Sequence, residues 1–243
     1  MRKLTVRMLV VVSILTGVLY SGTEVFVGSG RSFARQQEAQ EKQAGEQDVQ
    51  ILQERKVGAD IVAPQIKQLT ASRQGQALSG LLRERGFGAR AGKDDFFGWE
   101  VEYRSKDGKT LKAKLILQNY GKPGSKGIAA LASMTLASGD QTSTYEFSLI
   151  APNGDVQKPE EYRVNENFKA ERAHSLWSCF VARVRSQCIG VCITALVTCP
   201  TSSWTAYLGC VAARCGGCAL KALACCACNS SWWCRGVVGS CHQ

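Results

Sequence analysis

The sequence predicts an α+β middle domain, a helix followed by an antiparallel meander, joined to a small all-α, disulfide-rich C-terminal domain. Three observations lead there. All twelve cysteines lie between Cys179 and Cys241. The last carboxylate side chain is Glu171, so the stretch from His174 to Gln243 carries five basic residues and no acidic one. The cysteine-free stretch before it alternates apolar and polar residues between turn glycines, the period of half-buried strands. Two unlike compositions in one chain argue for two modules.

The N-terminus reads as an export signal over residues 1–34. Arg2, Lys3 and Arg7 precede an apolar run from Met8 to Tyr20, which suits a signal-peptide core and is short for a membrane span. Cleavage is expected after Ser21 or Gly22, or near Ser32-Phe33-Ala34, so the chain is expected to be secreted, with transient membrane association through the signal; an uncleaved anchor over Met8 to Val27, interrupted by Glu24, is the alternative. Residues 35–56 are rich in Gln and Glu and poor in apolar side chains, so a polar helix or linker is expected.

Residues 57–173 form the middle domain in this reading. Ile61 to Arg85 places Ile66, Leu69, Leu78, Leu81 and Leu82 at helical spacing and stops at Gly86 and Gly88. Phe97 to Tyr103 and Thr110 to Gln118 flank Ser105-Lys-Asp-Gly108, a hairpin turn signal. Ile128 to Leu136 and Thr142 to Ile150 flank Ser138-Gly-Asp140, and Pro152-Asn-Gly-Asp155 turns into a last strand from Tyr162 to Phe168. Four or five antiparallel strands result. The pairs Asp94/Asp95 and Glu100/Glu102 read as a solvated turn and the outward face of a strand, not as a catalytic dyad. No enzyme activity is expected.

Residues 174–243 form the cationic tail. A segment of this size buries little surface and needs cross-links. In an oxidising compartment, all twelve cysteines are disulfide candidates: Cys179, Cys188, Cys192, Cys199, Cys210, Cys215, Cys218, Cys225, Cys226, Cys228, Cys234 and Cys241. The spacing leaves their pairing open. Cys188, Cys192 and Cys199 fall within an arc of about 40° on a helix, so one or two helices are expected from Ser175 to Cys199, with Gly190 as the weak point. Trp204 to Arg214, capped from Thr201-Ser202-Ser203, and Ala219 to Cys228 are the next helices. Cys215-x2-Cys218 and Cys225-Cys226-x-Cys228 resemble zinc-knuckle spacing, but export favours oxidation over metal, and no cofactor or metal is expected.

Cationic charge and tryptophan together suit a membrane surface. The candidate membrane contacts are Arg183, Arg185, Arg214, Lys221 and Arg235 with Trp232 and Trp233; Trp177 and Trp204 fit either contact or core. No nucleic-acid partner is expected for an exported chain.

The layout resembles the halocin-C-eight-like bacteriocins. The likeness rests on Cys188-x3-Cys192, Cys215-x2-Cys218, Cys225-Cys226-Ala-Cys228 and Cys241 near the terminus, after a signal and a cysteine-free middle domain. It implies that the C-terminal part is released as an antimicrobial peptide and that the middle part protects the producer. The partners implied are the target-cell membrane, the chain's own middle domain as immunity partner, and export and processing machinery. Processing is expected at the charged link formed by Lys169, Glu171, Arg172 and Ala173. The alternative is a cell-surface or spore-coat protein whose disulfide-rich tail cross-links or docks to a partner; a protease inhibitor is a third, without a distinctive reactive loop.

Overall fold

The computed structural model describes residues 49–105, 107–173, 176–188 and 190–228. The expected signal region 1–34 lies outside them, as do residues 35–48, Trp232, Trp233, Cys234, Arg235 and Cys241.

The middle of the chain is an antiparallel sheet of eight strands: β1 (Val49–Val57), β2 (Gly88–Ala89), β3 (Phe96–Ser105), β4 (Thr110–Gly121), β5 (Ile128–Ser138), β6 (Gln141–Ala151), β7 (Glu160–Val164) and β8 (Ala170–Ala173). Their order is β1-β3-β4-β5-β6-β7-β8, with β2 paired to β4. The meander is longer than expected. β1 occupies a stretch where a polar helix or linker is expected, and pairs with β3 from Val49↔Ser105 to Val57↔Gly98. Ladder hydrogen bonds to β3, not an apolar stripe, make this strand. The expected last strand is two: β7 turns at Asn165 to Lys169, where Asn165 Oδ1 accepts the Asn167 and Lys169 amides, and returns as β8.

Between β1 and β3 the chain forms α1 (Ala59–Ala71) and α2 (Arg73–Glu84). The single helix expected from Ile61 to Arg85 breaks at Ser72, whose hydroxyl accepts the Gly75 amide at 2.9 Å and caps α2. Gly86 follows with φ 82°, the left-handed residue that ends a helix. Val62, Ile66, Leu69, Leu78 and Leu82 bury against Ile116, Tyr120, Ala129, Leu131 and Ile150 on one face of the sheet.

The tail is helical: α3 (Leu176–Gln187), α4 (Val191–Thr198), α5 (Trp204–Cys215) and α6 (Gly217–Cys228). Gly190, at φ 69°, separates α3 from α4. Ser203 caps α5 by accepting the Ala206 amide at 3.1 Å. Disulfides join Cys179 to Cys226 and Cys188 to Cys218, tying α3 antiparallel to α6, and Cys199 to Cys210, tying the end of α4 to α5. The enclosed spans of 47, 30 and 11 residues give about 3–4 kcal/mol each by restricting the unfolded chain. Cys225 and Cys228 are disulfide-bonded as well.

The change of composition at residue 174 is not a boundary in packing. One hydrophobic core holds Phe97, Trp99, Tyr103, Leu115, Met134 and Phe147 of the sheet together with Trp177, Phe180, Trp204, Tyr207, Leu208 and Leu220 of the tail. The described chain has three layers: a helix pair, a sheet whose central strands are buried on both faces over part of their length, and the disulfide-stapled helices.

Candidate functional site

The site that the sequence singles out is the cationic tail, and its most informative surface is the one turned to the sheet. Trp177 and Trp204 meet edge to face with centroids 5.0 Å apart; Phe180 packs on Trp177 at 4.9 Å with its ring tilted by 46°, and Tyr207 meets Trp204 edge-on at 6.2 Å. All four side chains are buried. The tryptophans that fit either core or contact are therefore core. Burying large aromatic rings is the main apolar gain available to a module of small residues.

Polar bonds fix the register of tail on sheet. Glu161 of β7, almost fully buried, accepts the backbone amides of Leu176 and Trp177 at 3.1 and 2.8 Å through one oxygen. Its other oxygen accepts Arg163 Nε at 2.9 Å. The carboxylate thus sits at the N-terminal end of α3, where unpaired amides and the helix dipole favour an anion. Trp177 Nε1 donates to the Val156 carbonyl at 2.9 Å. Asn119 of β4 donates to Thr205 Oγ1 at 2.8 Å and accepts the Thr205 amide at 3.2 Å, while the Thr205 hydroxyl donates to the Asp94 carbonyl at 2.6 Å. Tyr103 donates from its hydroxyl to the Gly217 carbonyl at 3.1 Å.

The predicted contacts and cysteines divide as follows. Arg185 and Arg214 are exposed, and Arg183 and Lys221 are half-buried. Arg185 donates to Gln157 Oε1 at 3.0 Å and Arg214 to Thr198 Oγ1 at 2.7 Å. Of the ten candidate cysteines in the described residues, Cys192 and Cys215 differ from expectation: they are buried thiols, not a bridge. They hydrogen-bond to each other. The hydrogen bond from Cys215 holds the Cys192 thiol below its usual range, against the effect of burial. The Cys192 partner, with burial, pushes Cys215 up.

The expected processing link is also different in kind. Lys169, Glu171 and Arg172 are exposed and Ala173 is half-buried, but residues 170–173 are edge strand β8, paired to β7 from Val164↔Ala170 to Glu161↔Ala173. The segment is a short sheet edge, not a free linker. Such an edge opens at low cost compared with global unfolding.

Glu100, Glu102 and Asp95 of the two carboxylate pairs hold structural partners. Glu100 bonds Arg55 at 2.5 Å and Lys114 at 3.0 Å, and Glu102 lies 3.8 Å from Lys112. Burial raises the Glu100 carboxyl, but Lys114 and Arg55 outweigh it and leave it below the ordinary range. Asp95 accepts the Gly92 amide at 3.0 Å and belongs to the turn before β3. Among the described residues no cluster of three or more His, Cys, Asp or Glu is placed to hold a metal ion.

Sequence reasoning missed Glu161 and Asn119, the two sheet side chains that accept backbone amides of the tail. Their partners are 15 or more residues away, so no local pattern marks them.

Among the described residues no single helix is long and apolar enough to cross a membrane; α5 and α6 pass that test only as a pair, bent by 113°. No family model matches the chain, and no curated protein and no solved structure matches it.

Proposed function

We propose that the chain is a secreted precursor of a cysteine-rich cationic antimicrobial peptide, in which the sheet domain holds the C-terminal peptide silent until it is released. The observation that carries this reading is the burial of Trp177, Phe180, Trp204 and Tyr207 under the sheet in a module with no acidic side chain. Such a module has the charge to reach an anionic membrane and the aromatic surface to enter its boundary. In the intact chain that surface is covered. Separation from the sheet would expose it while the bridges Cys179–Cys226, Cys188–Cys218 and Cys199–Cys210 kept the helices joined. The disulfides are compatible with an oxidising compartment outside the cytosol. The exposed edge strand around Lys169, Glu171 and Arg172 is the processing region in this reading, and the sheet domain is the immunity partner.

The test is growth inhibition by two forms of the same protein. One is the intact chain; the other carries a specific protease site replacing Glu166 to Lys169, a turn whose side chains face solvent. The cut and separated tail should inhibit bacteria, the intact chain should not, and added sheet domain should quench the tail. Equal activity of both forms, or none from either, refutes the proposal.

The continuous core favours a second reading, a cell-surface structural protein whose tail never leaves. Intact mass of the secreted material separates the two. A single full-length species supports this second reading, and a fragment of the tail's mass supports the first.

A further inference from the structure

Helix α4 departs from the pattern of a surface helix. It spans eight residues, Val191 to Thr198, and has no charged side chain. Its inner face buries Cys192, Ala195 and Leu196. Its outer face should be polar if it met only water. Instead Val191, Ile193 and Val197 are 55%, 40% and 65% exposed, accompanied there by Thr194 and Thr198. Among the described residues seven large hydrophobic side chains are exposed, and three of them lie on this helix. At about 100° per residue, Ile193 and Val197 stand side by side on the arc opposite the buried face.

The helix is rigidly held. Cys199, the residue after it, is bridged to Cys210. Gln157 Nε2 donates to the Leu196 carbonyl at 3.1 Å, and Tyr207 donates to the same carbonyl at 3.2 Å. Two exposed guanidiniums rim it. Arg214 bonds Thr198 at 2.7 Å, and Arg185 bonds Gln157 at 3.0 Å, so each is one contact or two from the helix. Asp155 lies in the same turn as Gln157, and the tail itself contributes no acidic side chain.

We infer that the outer face of α4, with Val191, Ile193 and Val197 rimmed by Arg185 and Arg214, docks on an anionic phospholipid bilayer. The charge argues for this occupant: five cations and no acid from His174 onward, in a chain of net charge +10. Eight residues of helix are about 12 Å long, too short to cross a hydrocarbon core of about 30 Å. The helix therefore lies in the boundary plane, its aliphatic side chains among the upper acyl carbons and the guanidiniums on phosphates. This surface is open while the aromatic face is still covered by the sheet, so the intact chain already docks. The inference deepens the precursor reading by naming how the tail first meets lipid.

The experiment is co-sedimentation of the full, oxidised chain with vesicles of phosphatidylcholine, alone or mixed with phosphatidylglycerol. Wild type should bind the mixed vesicles, weaken as salt rises, and bind the neutral ones poorly. The double variant Ile193→Glu, Val197→Glu should lose tenfold or more. Arg185→Gln and Arg214→Gln should each lose about fivefold. Ile61→Glu, on the exposed side of α1, should bind as wild type. Val197→Trp should show blue-shifted emission on binding. Intact mass before and after reduction confirms that each variant keeps its bridges. Wild type that ignores phosphatidylglycerol, or a double variant that binds as wild type, overturns the inference. So does a dimer in solution that the double variant dissolves, because a second copy is then the occupant. Killing by the released tail is read separately, so its absence counts against the precursor proposal alone.

Discussion

Glu161 offers the most direct test of how tail and sheet are joined. It is 3% exposed and accepts three hydrogen bonds, two from the first amides of α3 and one from Arg163. Bonds to a charged group are worth about 1.5–3 kcal/mol each, and the helix N-terminus adds up to about 2 kcal/mol in a partly buried setting. Glu161→Ala removes the acceptor and leaves two buried amides and a half-buried guanidinium without it. The expected cost is about 3–5 kcal/mol, the range for breaking a buried pair from one side. For a chain of this length that lowers Tm by about 6–20 °C. Glu161→Gln keeps an oxygen for the amides but turns an NH2 group toward Arg163, so about half that cost is expected. Arg163→Met should cost least, because Glu161 keeps both amides. Tryptophan fluorescence during urea unfolding is the assay, since Trp177 donates one of the amides. A Glu161→Ala variant within 1 kcal/mol of wild type refutes the reasoning. So does a Gln variant as damaging as the Ala variant, which would mean that shape rather than charge matters.

Three other outcomes follow from the packing. Thiol-reactive reagents applied to the unreduced, unfolded chain should label Cys192 and Cys215, and the native chain should label slowly at both; fast native labelling contradicts their burial. Tyr207 is pushed up to about 12, chiefly by burial, with Cys215 and Asp155 adding and Arg185 opposing, and Tyr103 is pushed well above the usual 10 by burial and by Glu54. A folded pKa above the unfolded one means that the stabilisation is complete below pH 10 and is lost as pH rises toward 12. Ultraviolet titration should therefore show these phenolates appearing together with unfolding, and ionisation of both in the folded chain near pH 10 is the contrary result. Gly98→Ala puts a methyl 2.6 Å from Val62 Cγ2 and 2.7 Å from Val57 Cβ, so it should cost about 1–3 kcal/mol in thermal unfolding. Gly217→Ala meets the side chain of Ile51, which is exposed and turns aside more easily than the buried Val57 and Val62, so it should cost less.

The fold class was legible because its signals are local. Turn glycines such as Gly108 and Gly139, both at positive φ, punctuate alternating strands, and Gly190 breaks the tail helix where the spacing places a weak point. β1 was not legible, since in Val49–Val57 the apolar Ile51 and Leu52 are adjacent and the run Gln53 to Lys56 is entirely polar, which breaks the alternation of a strand. An edge strand exposed along most of its length shows no buried alternation, and the bulge between Ile51 and Gln53 shifts what little there is. The shared core was hidden by composition, because cysteines and acids divide the chain at residue 174 while packing does not. One signal pointed past that division. Leu115, Ile116 and Leu117 are apolar in succession, as are Ile128 to Ala132, and the structure buries them all. A strand buried at consecutive positions has a cover on each face. The helix pair between β1 and β3 supplies one cover, so the second had to come from the tail.

That shared core sets the terms of any release. A cut in the β8 edge removes a covalent link but leaves Trp177, Trp204 and Tyr207 against the sheet and the Glu161 and Asn119 bonds in place. The cut chain is then a two-part complex, and dissociation exposes the aromatic face to water unless another apolar phase receives it. A membrane is such a phase, and α4 brings the tail to it before the core opens. On this argument a cut alone yields little free tail in buffer, whereas anionic vesicles draw it off the sheet. Size exclusion of the cut protein measures this. Co-elution without lipid and separation with phosphatidylglycerol vesicles is the expected pair of results. Spontaneous separation in buffer would show that the sheet holds the tail too weakly to silence it.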